Sequence, residues 1–180
     1  EVLYQGFHLI YHPRDNIYAL AYKGDGSWYL GTGKGLYLWN SETNDYKDYF
    51  SEGLNGPVQD IEIDKEGNCW VATAGKGLVC IANDSIIFFN KNDGINSLFC
   101  RSIEVDGQGR IWVGTNQGMS VLWVSENLTI EKAIPFNRTS GLISEEVLDI
   151  VVLDSVVWVA TTSGLSRIRI PLQQTHSSKI

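Results

Sequence analysis

A tryptophan-led motif returns four times along the chain, and that recurrence limits the fold more than any other feature. The copies are WYLGTGKGL from Trp28, WVATAGKGL from Trp70, WVGTNQGM from Trp112 and WVATTSGL from Trp158, spaced 42, 42 and 46 residues apart. A second piece lies upstream of each tryptophan. It reads VQDIEIDKEGN from Val58, CRSIEVDGQGR from Cys100, a shorter VLDIVVLDS from Val147 and a divergent IYALAYKGDGS from Ile17. A third piece, FSEGL at Phe50, FNKNDGI at Phe89 and FNRTSGL at Phe136, comes before these. A period of this length marks repeated supersecondary units that bury their faces against one another.

Each unit parses into four short strands. The I-x-I/V stretch is the first, closed by Asp and Gly turn residues. The W-V-A/G-T stretch is the second, and a glycine-containing hairpin leads to a third at Leu36, Leu78, Met119 or Leu165. Tyr46 to Phe50, Ile86 to Phe89 and Ile130 to Phe136 supply the fourth. No sustained helical period competes with this reading. The expected class is therefore all-β, a β-propeller built of four-stranded antiparallel blades. The expected boundaries are a partial blade over 1–16, blades over about 17–57, 58–99, 100–146 and 147–170, and a polar tail or linker over 171–180.

The repeat assigns structural roles first. Gly35, Gly77, Gly118 and Gly164 fall where a tight hairpin needs positive φ. Thr32, Thr73, Thr115 and Thr161 are placed to tie those turns through their hydroxyls. Trp28, Trp70, Trp112 and Trp158 fall mid-strand, where a blade is sandwiched between neighbours and a large ring packs. Asp64, Asp106 and Glu66 read as turn residues. The segment GTGKG imitates a phosphate loop, but it lacks the P-loop spacing and the following helix, so it reads as a turn.

Composition removes several functions. A net charge of −7 opposes duplex nucleic-acid binding. No apolar run approaches the roughly 20 residues of a membrane span, so this segment is expected to make no membrane contact. Three cysteines, Cys69, Cys80 and Cys100, cannot pair completely and no CxxC occurs; buried free thiols are the expectation, with Cys69 and Cys80 offset on neighbouring strands. The histidines are His8, His12 and His176, without ligand spacing, so neither a metal nor a cofactor is expected. No nucleophile motif or recurrent catalytic set appears, and no catalytic residue is assigned.

Binding needs loops rather than motifs. The hairpins between second and third strands and the inter-blade segments emerge at one end of a propeller and ring its channel mouth, where residues change while the frame repeats. The candidates there are Lys34, Lys76, Asn116 and Gln117 from hairpins. Asn55, Gln59, Asn96, Arg101 and Glu145 come from the inter-blade segments. Amides with a few charges offer donors and acceptors to hydroxyl-rich ligands. Lysine and Arg101 could also meet an acidic glycan.

The combined pattern G-L-x(n)-V-x-x-I-x-x-D-x-x-G-x-x-W-V-G-T-x-x-G-L resembles the two-component regulator propeller repeat, over about Tyr4 to Ile170. That resemblance implies seven-bladed propellers in the periplasmic sensor regions of hybrid histidine kinases of Bacteroides and relatives. It also implies sensing of oligosaccharides, a parent anchored in the inner membrane and a kinase elsewhere in the protein. Four units amount to about half of such a propeller, so the chain is read as a fragment of a larger sensor. The alternative is a small closed propeller in which His8 to Tyr11 supplies an outer strand. Exposed ends of a fragment would make a homodimer an expected partnership. Three functional classes are carried: a ligand-sensing module, a protein–protein scaffold and, distantly, a lyase-type enzyme.

Overall fold

The computed structural model describes residues 15–83 and 85–170. All but Asp15 and Asn16 of the partial blade expected over 1–16, the strand expected at His8 to Tyr11, and the tail over 171–180 with His176 lie outside the described residues.

Among the described residues, fifteen strands form four antiparallel sheets in chain order. Sheet I holds β1 (Ile17–Gly24), β2 (Ser27–Thr32), β3 (Leu36–Asn40) and β4 (Tyr46–Asp48). Sheet II holds β5 (Val58–Ile63), β6 (Cys69–Thr73), β7 (Gly77–Ala82) and β8 (Ser85–Phe89). Sheet III holds β9 (Cys100–Val105), β10 (Ile111–Thr115), β11 (Gly118–Val124) and β12 (Ile130–Phe136). Sheet IV holds β13 (Val147–Leu153), β14 (Val156–Thr161) and β15 (Gly164–Arg169). Every sheet is a simple meander, because each strand pairs with its successor through a short turn. Two single 3₁₀ turns, Lys91–Asp93 and Arg138–Ser140, interrupt the inter-sheet segments, each capped by an asparagine and ended by a left-handed glycine.

The sheets stack face to face through three apolar layers. Tyr29, Leu36, Val58, Val71 and Val79 fill the layer between I and II. Trp70, Leu78, Ile103, Val113 and Leu122 fill that between II and III. Trp112, Met119, Ile150, Val157 and Val159 fill that between III and IV. Strands β6, β7 and β10 are buried at every residue, as strands sandwiched on both sides must be. The outer sheets differ. Tyr18, Leu20 and Tyr22 of β1 are exposed, as are Val151, Leu153 and Leu165 at the other end of the stack.

The repeat frame shifts by one residue in sheet I. Hairpin threonines set the register: Thr73, Thr115 and Thr161 stand three residues after Trp70, Trp112 and Trp158, whereas Thr32 stands three after Tyr29. Tyr29, not Trp28, therefore fills the layer position, and it is 4% exposed. Trp28 points to the opposite face, half-buried against Leu30, Tyr37 and Trp39, with its ring 4.9 Å from that of Tyr22. A one-residue offset in a strand reverses every side chain, and matching tryptophan to tryptophan hides that. Trp158 has the expected frame but lies half-buried, because its face of sheet IV turns away from sheet III.

Asp64 and Asp106 close the β5–β6 and β9–β10 turns. Asp106 accepts the amide N–H groups of Gln108 and Arg110 on one oxygen, and the Arg110 Nε and Trp112 indole N–H on the other. Asp64 does the same for Glu66, Asn68 and Trp70. The six-residue step from Asp to Trp thus joins a turn to the core. The cysteines are buried and free; Cys69 pairs with Ile81 and Cys80 with Trp70, so the two thiols are offset by one position. Burial pushes the Cys80 and Cys100 thiols up to about 12, and that of Cys69 higher still.

Candidate loop-face binding site

The second-to-third strand hairpins and the inter-sheet segments interlock at one end of the stack. Each hairpin threonine donates its hydroxyl across the turn: Thr32 to the Gly35 carbonyl at 2.9 Å, and Thr73, Thr115 and Thr161 to the Gly77, Gly118 and Gly164 carbonyls at 2.8 Å. In the GTGKG turn the Lys34 and Gly35 amides donate back to the Thr32 hydroxyl at 3.1 Å, so those donors close a turn instead of cradling an anion. The end of the fourth strand packs tightly against the hairpin here. A Cβ on Gly77, whose φ is +83°, would stand 2.3 Å from the Phe89 carbonyl oxygen.

These segments also link neighbouring sheets. Gly77 donates to the Leu98 carbonyl at 2.9 Å and Gly118 to that of Glu145 at 2.6 Å. Behind each hairpin, Ala74, Asn116 and Thr162 donate to the carbonyls of Pro57, Phe99 and Glu146, the residues that immediately precede the inner strands. One rule therefore places Pro57, Phe99 and Glu146 in corresponding positions.

A second regularity follows directly along the chain. The inner strand of each described sheet, β1, β5, β9 and β13, carries a register shift after its first residue, between Ile17 and Ala19, Val58 and Asp60, Cys100 and Ser102, and Val147 and Asp149. The extra residues are Tyr18, Gln59, Arg101 and Leu148. A bulge in the same place in every repeat re-aims one side chain per sheet, a device common beside binding sites. Tyr18, Arg101 and Leu148 are exposed and Gln59 is half-buried.

The sequence candidates distribute as follows. Exposed Lys76 donates from Nζ to Asn55 Oδ1 at 2.8 Å, joining two residues 21 positions apart. Arg101 pairs with Glu146 across sheets III and IV. Asn96 spans three groups: its amide nitrogen donates to the Gln117 and Phe136 carbonyls, and its oxygen accepts from Ser120. Gln117 accepts from Lys91 Nζ at 3.3 Å. Lys34 and Glu145 are exposed on the same end. Asn116 is half-buried, and its Oδ1 has no hydrogen-bond partner among the described residues. Phe99, 53% exposed, and the bulge aromatic Tyr18 were not identified from sequence. Their signal was positional: one residue before, or one after, the first residue of each inner strand.

Carboxylates on the inner strands serve the stack. Asp60 Oδ2 accepts the Ile103 amide at 2.8 Å and Glu104 Oε1 the Val152 amide at 3.2 Å, each reaching the next sheet. Burial raises the Asp60 carboxyl above its ordinary range, against the lowering effect of the Ile103 and Ile61 amides, with Asp149 adding to the rise. Burial and then Glu104 raise Glu62; burial, Asp149 and Asp60 raise Glu104 against the Val152 amide. Among the described residues no group of three His, Cys, Asp or Glu side chains is placed to hold a metal. At the opposite ends of the strands, by the β5–β6 and β9–β10 turns, a cleft of about 310 Å³ opens between sheets II and III beside Asp64, Trp70, Gln108 and Leu128.

Residues 94–117 match the family model described as Two component regulator propeller. They run from the segment before β9 through the sheet III hairpin, the stretch that holds Phe99, Arg101 and Asn116. Among solved structures, the chain is similar to the extracellular domain of a protein described as a hybrid two component system of B. thetaiotaomicron. The TM-score is 0.72 at 21% identity, covering 86% of this chain and 22% of that one. It is similar also to the extracellular domain of a protein described as a one component system of the same organism, with a TM-score of 0.70 at 19% identity, covering 86% and 24%. The WD40 β-propeller domain of Doa1 superposes with a TM-score of 0.66 at 15% identity, covering 87% and 51%. The chain thus spans 22% and 24% of the two extracellular domains. No curated protein sequence matches it. At these identities the structural likeness speaks for the fold, which is that of β-propeller blades.

Proposed function

We propose that this chain, which carries a two component regulator propeller repeat, is a ligand-sensing part of the extracytoplasmic region of a two-component sensor, and that it recognises an oligosaccharide at its loop face. The carrying observation is that the family match falls on the repeat whose hairpin and inner-strand bulge furnish Arg101 and Asn116. Around them a repeated frame presents different side chains from sheet to sheet, which is how recognition is grafted onto a scaffold. In this reading the segment is periplasmic and non-catalytic, and a histidine kinase further along the parent, anchored in the inner membrane, reports the binding. Asp60 and Glu104 hold main-chain donors of the next sheet, which suits a structural rather than a chemical role.

A second reading has its own observation. Exposed apolar residues at both ends of the stack suit a partner surface, supplied by the rest of a larger sensor, by a second copy or by another protein. A thermal-shift panel of oligosaccharides separates the two. A ligand at about one hundred times its Kd adds about 2.7 kcal/mol and raises the midpoint. A panel that leaves the midpoint unmoved for every sugar rejects the sensor reading in favour of the scaffold.

A further inference from the structure

We infer that Phe99 is the stacking platform of the loop face and that its ligand is a neutral sugar ring, an assignment that rests on the oligosaccharide reading above. Phe99 occupies the position held by Pro57 and Glu146 in the neighbouring repeats, and it alone of the three presents an aromatic ring. Its backbone is fixed from both sides. It bridges Ala74 of the sheet II hairpin, and its carbonyl accepts the Asn116 amide of the sheet III hairpin at 3.2 Å. Its own amide donates to Ser97 Oγ at 3.2 Å. A ring carried on a backbone fixed between two hairpins, and 53% exposed, offers a flat apolar face with the main-chain ordering already in place. The C–H face of a pyranose fits such a surface, since aromatic rings couple an apolar body to a negatively polarised face.

The Asn116 carboxamide oxygen is buried without a partner among the described residues, a costly state that a ligand hydroxyl would relieve after a rotation about the broad terminal torsion. The cations of the adjoining sheet II hairpin and sheet III bulge are engaged: Lys76 donates to Asn55, and Arg101 is paired with Glu146. A carboxylate or sulfate ligand would compete with Asn55 and Glu146 for those cations, whereas a neutral hydroxylated ring would not.

The test is calorimetric titration of the whole chain with cellohexaose, xylohexaose and maltohexaose. A galacturonate trisaccharide and a chondroitin sulfate tetrasaccharide form the acidic set. The expected result is binding of a neutral sugar, weakened about tenfold by Phe99→Ala and preserved by Phe99→Trp, with both variants melting like the parent. Neutral binding that Phe99→Ala changes by less than about twofold overturns the platform and leaves the sensor reading standing. Binding of the acidic set alone, abolished by Arg101→Gln, overturns the neutral class. Binding of no sugar by the parent chain overturns the platform and the sensor reading together.

Discussion

Replacing Asp106 by alanine is the sharpest available perturbation of the stack. Four donors converge on that carboxylate, and its partner Arg110 is buried with it, the side chains being 3% and 7% exposed. Deleting the acid leaves a guanidinium and an indole N–H inside the protein without their acceptor. Breaking a buried pair from one side costs about 3–5 kcal/mol. For a chain of this size each kcal/mol moves the midpoint by about 2–4 °C, which puts the expected fall at roughly 6–20 °C. Asp64→Ala is the internal control, since Asp64 holds the same turn and the same indole position but faces Asn68, not an arginine. Its loss should cost about 1–3 kcal/mol. Urea unfolding followed by tryptophan fluorescence and far-ultraviolet circular dichroism measures both. Equal losses for the two variants would refute the assignment of the excess to the stranded arginine. The acid limb provides a second check. Burial alone would raise the Asp106 carboxyl, but hydrogen bonds from Trp112 and Arg110 outweigh it and hold the group below its ordinary value. A depressed folded value means that the stabilisation is complete above the unfolded carboxylate range and is lost as pH falls through the folded value. The parent should therefore lose stability to acid more steeply than Asp106→Asn does.

Other perturbations separate the remaining claims. Gly77→Ala should cost more than Gly67→Ala by about 1–3 kcal/mol in the same unfolding assay. Both glycines have positive φ, but only at Gly77 would the added carbon strike a backbone oxygen. Glu62 and Glu104 behave oppositely to Asp106. Their raised carboxyls favour the folded state at low pH, and that contribution is lost as pH rises from the unfolded toward the folded value. Glu62→Gln should therefore stabilise the chain at neutral pH and not at acid pH, as read from midpoints across a pH series. The three buried thiols should resist a thiol-specific dye in the native chain and react together in urea, and rapid native labelling of any one would contradict its burial.

The frame was legible because it is written four times. Tight hairpins need their glycines and threonines wherever they occur, so chance matches cancel and geometry remains. The four-stranded units, the hairpin hydroxyl bonds and the offset of Cys69 from Cys80 all follow from that repetition. The frame of sheet I was not legible, because Trp28 imitates the alignment while Tyr29 occupies the layer. Only the pairing of Tyr29 with Leu38 and its burial against sheet II reveal which residue faces inward. An indole is a stronger sequence mark than a phenol, but in a strand the parity of the position decides, whatever the size of the ring.

The loop face shows the converse problem. Lys76, Asn55, Arg101 and Asn116 could be picked out by polarity, and the stack brings them to one end. Their hydrogen bonds could not be read, and those bonds change their meaning. Asn96 looked like a ligand group of the same standing as Asn116, yet both ends of its carboxamide are engaged, with Gln117, Phe136 and Ser120, and hold two segments together. Asn116 keeps one unsatisfied oxygen. The bulge after the first residue of each inner strand was likewise hidden, since an extra residue leaves no mark on an alternating pattern until the partner strand is known. Function in such a stack is carried by residues that the repeat leaves over. Tyr18, Gln59, Arg101 and Leu148 differ in chemistry while sharing one register position, and Phe99 stands where its counterparts are Pro57 and Glu146. A position whose backbone role is constant from sheet to sheet, and whose side chain is not, has been freed from folding, and recognition should be sought there.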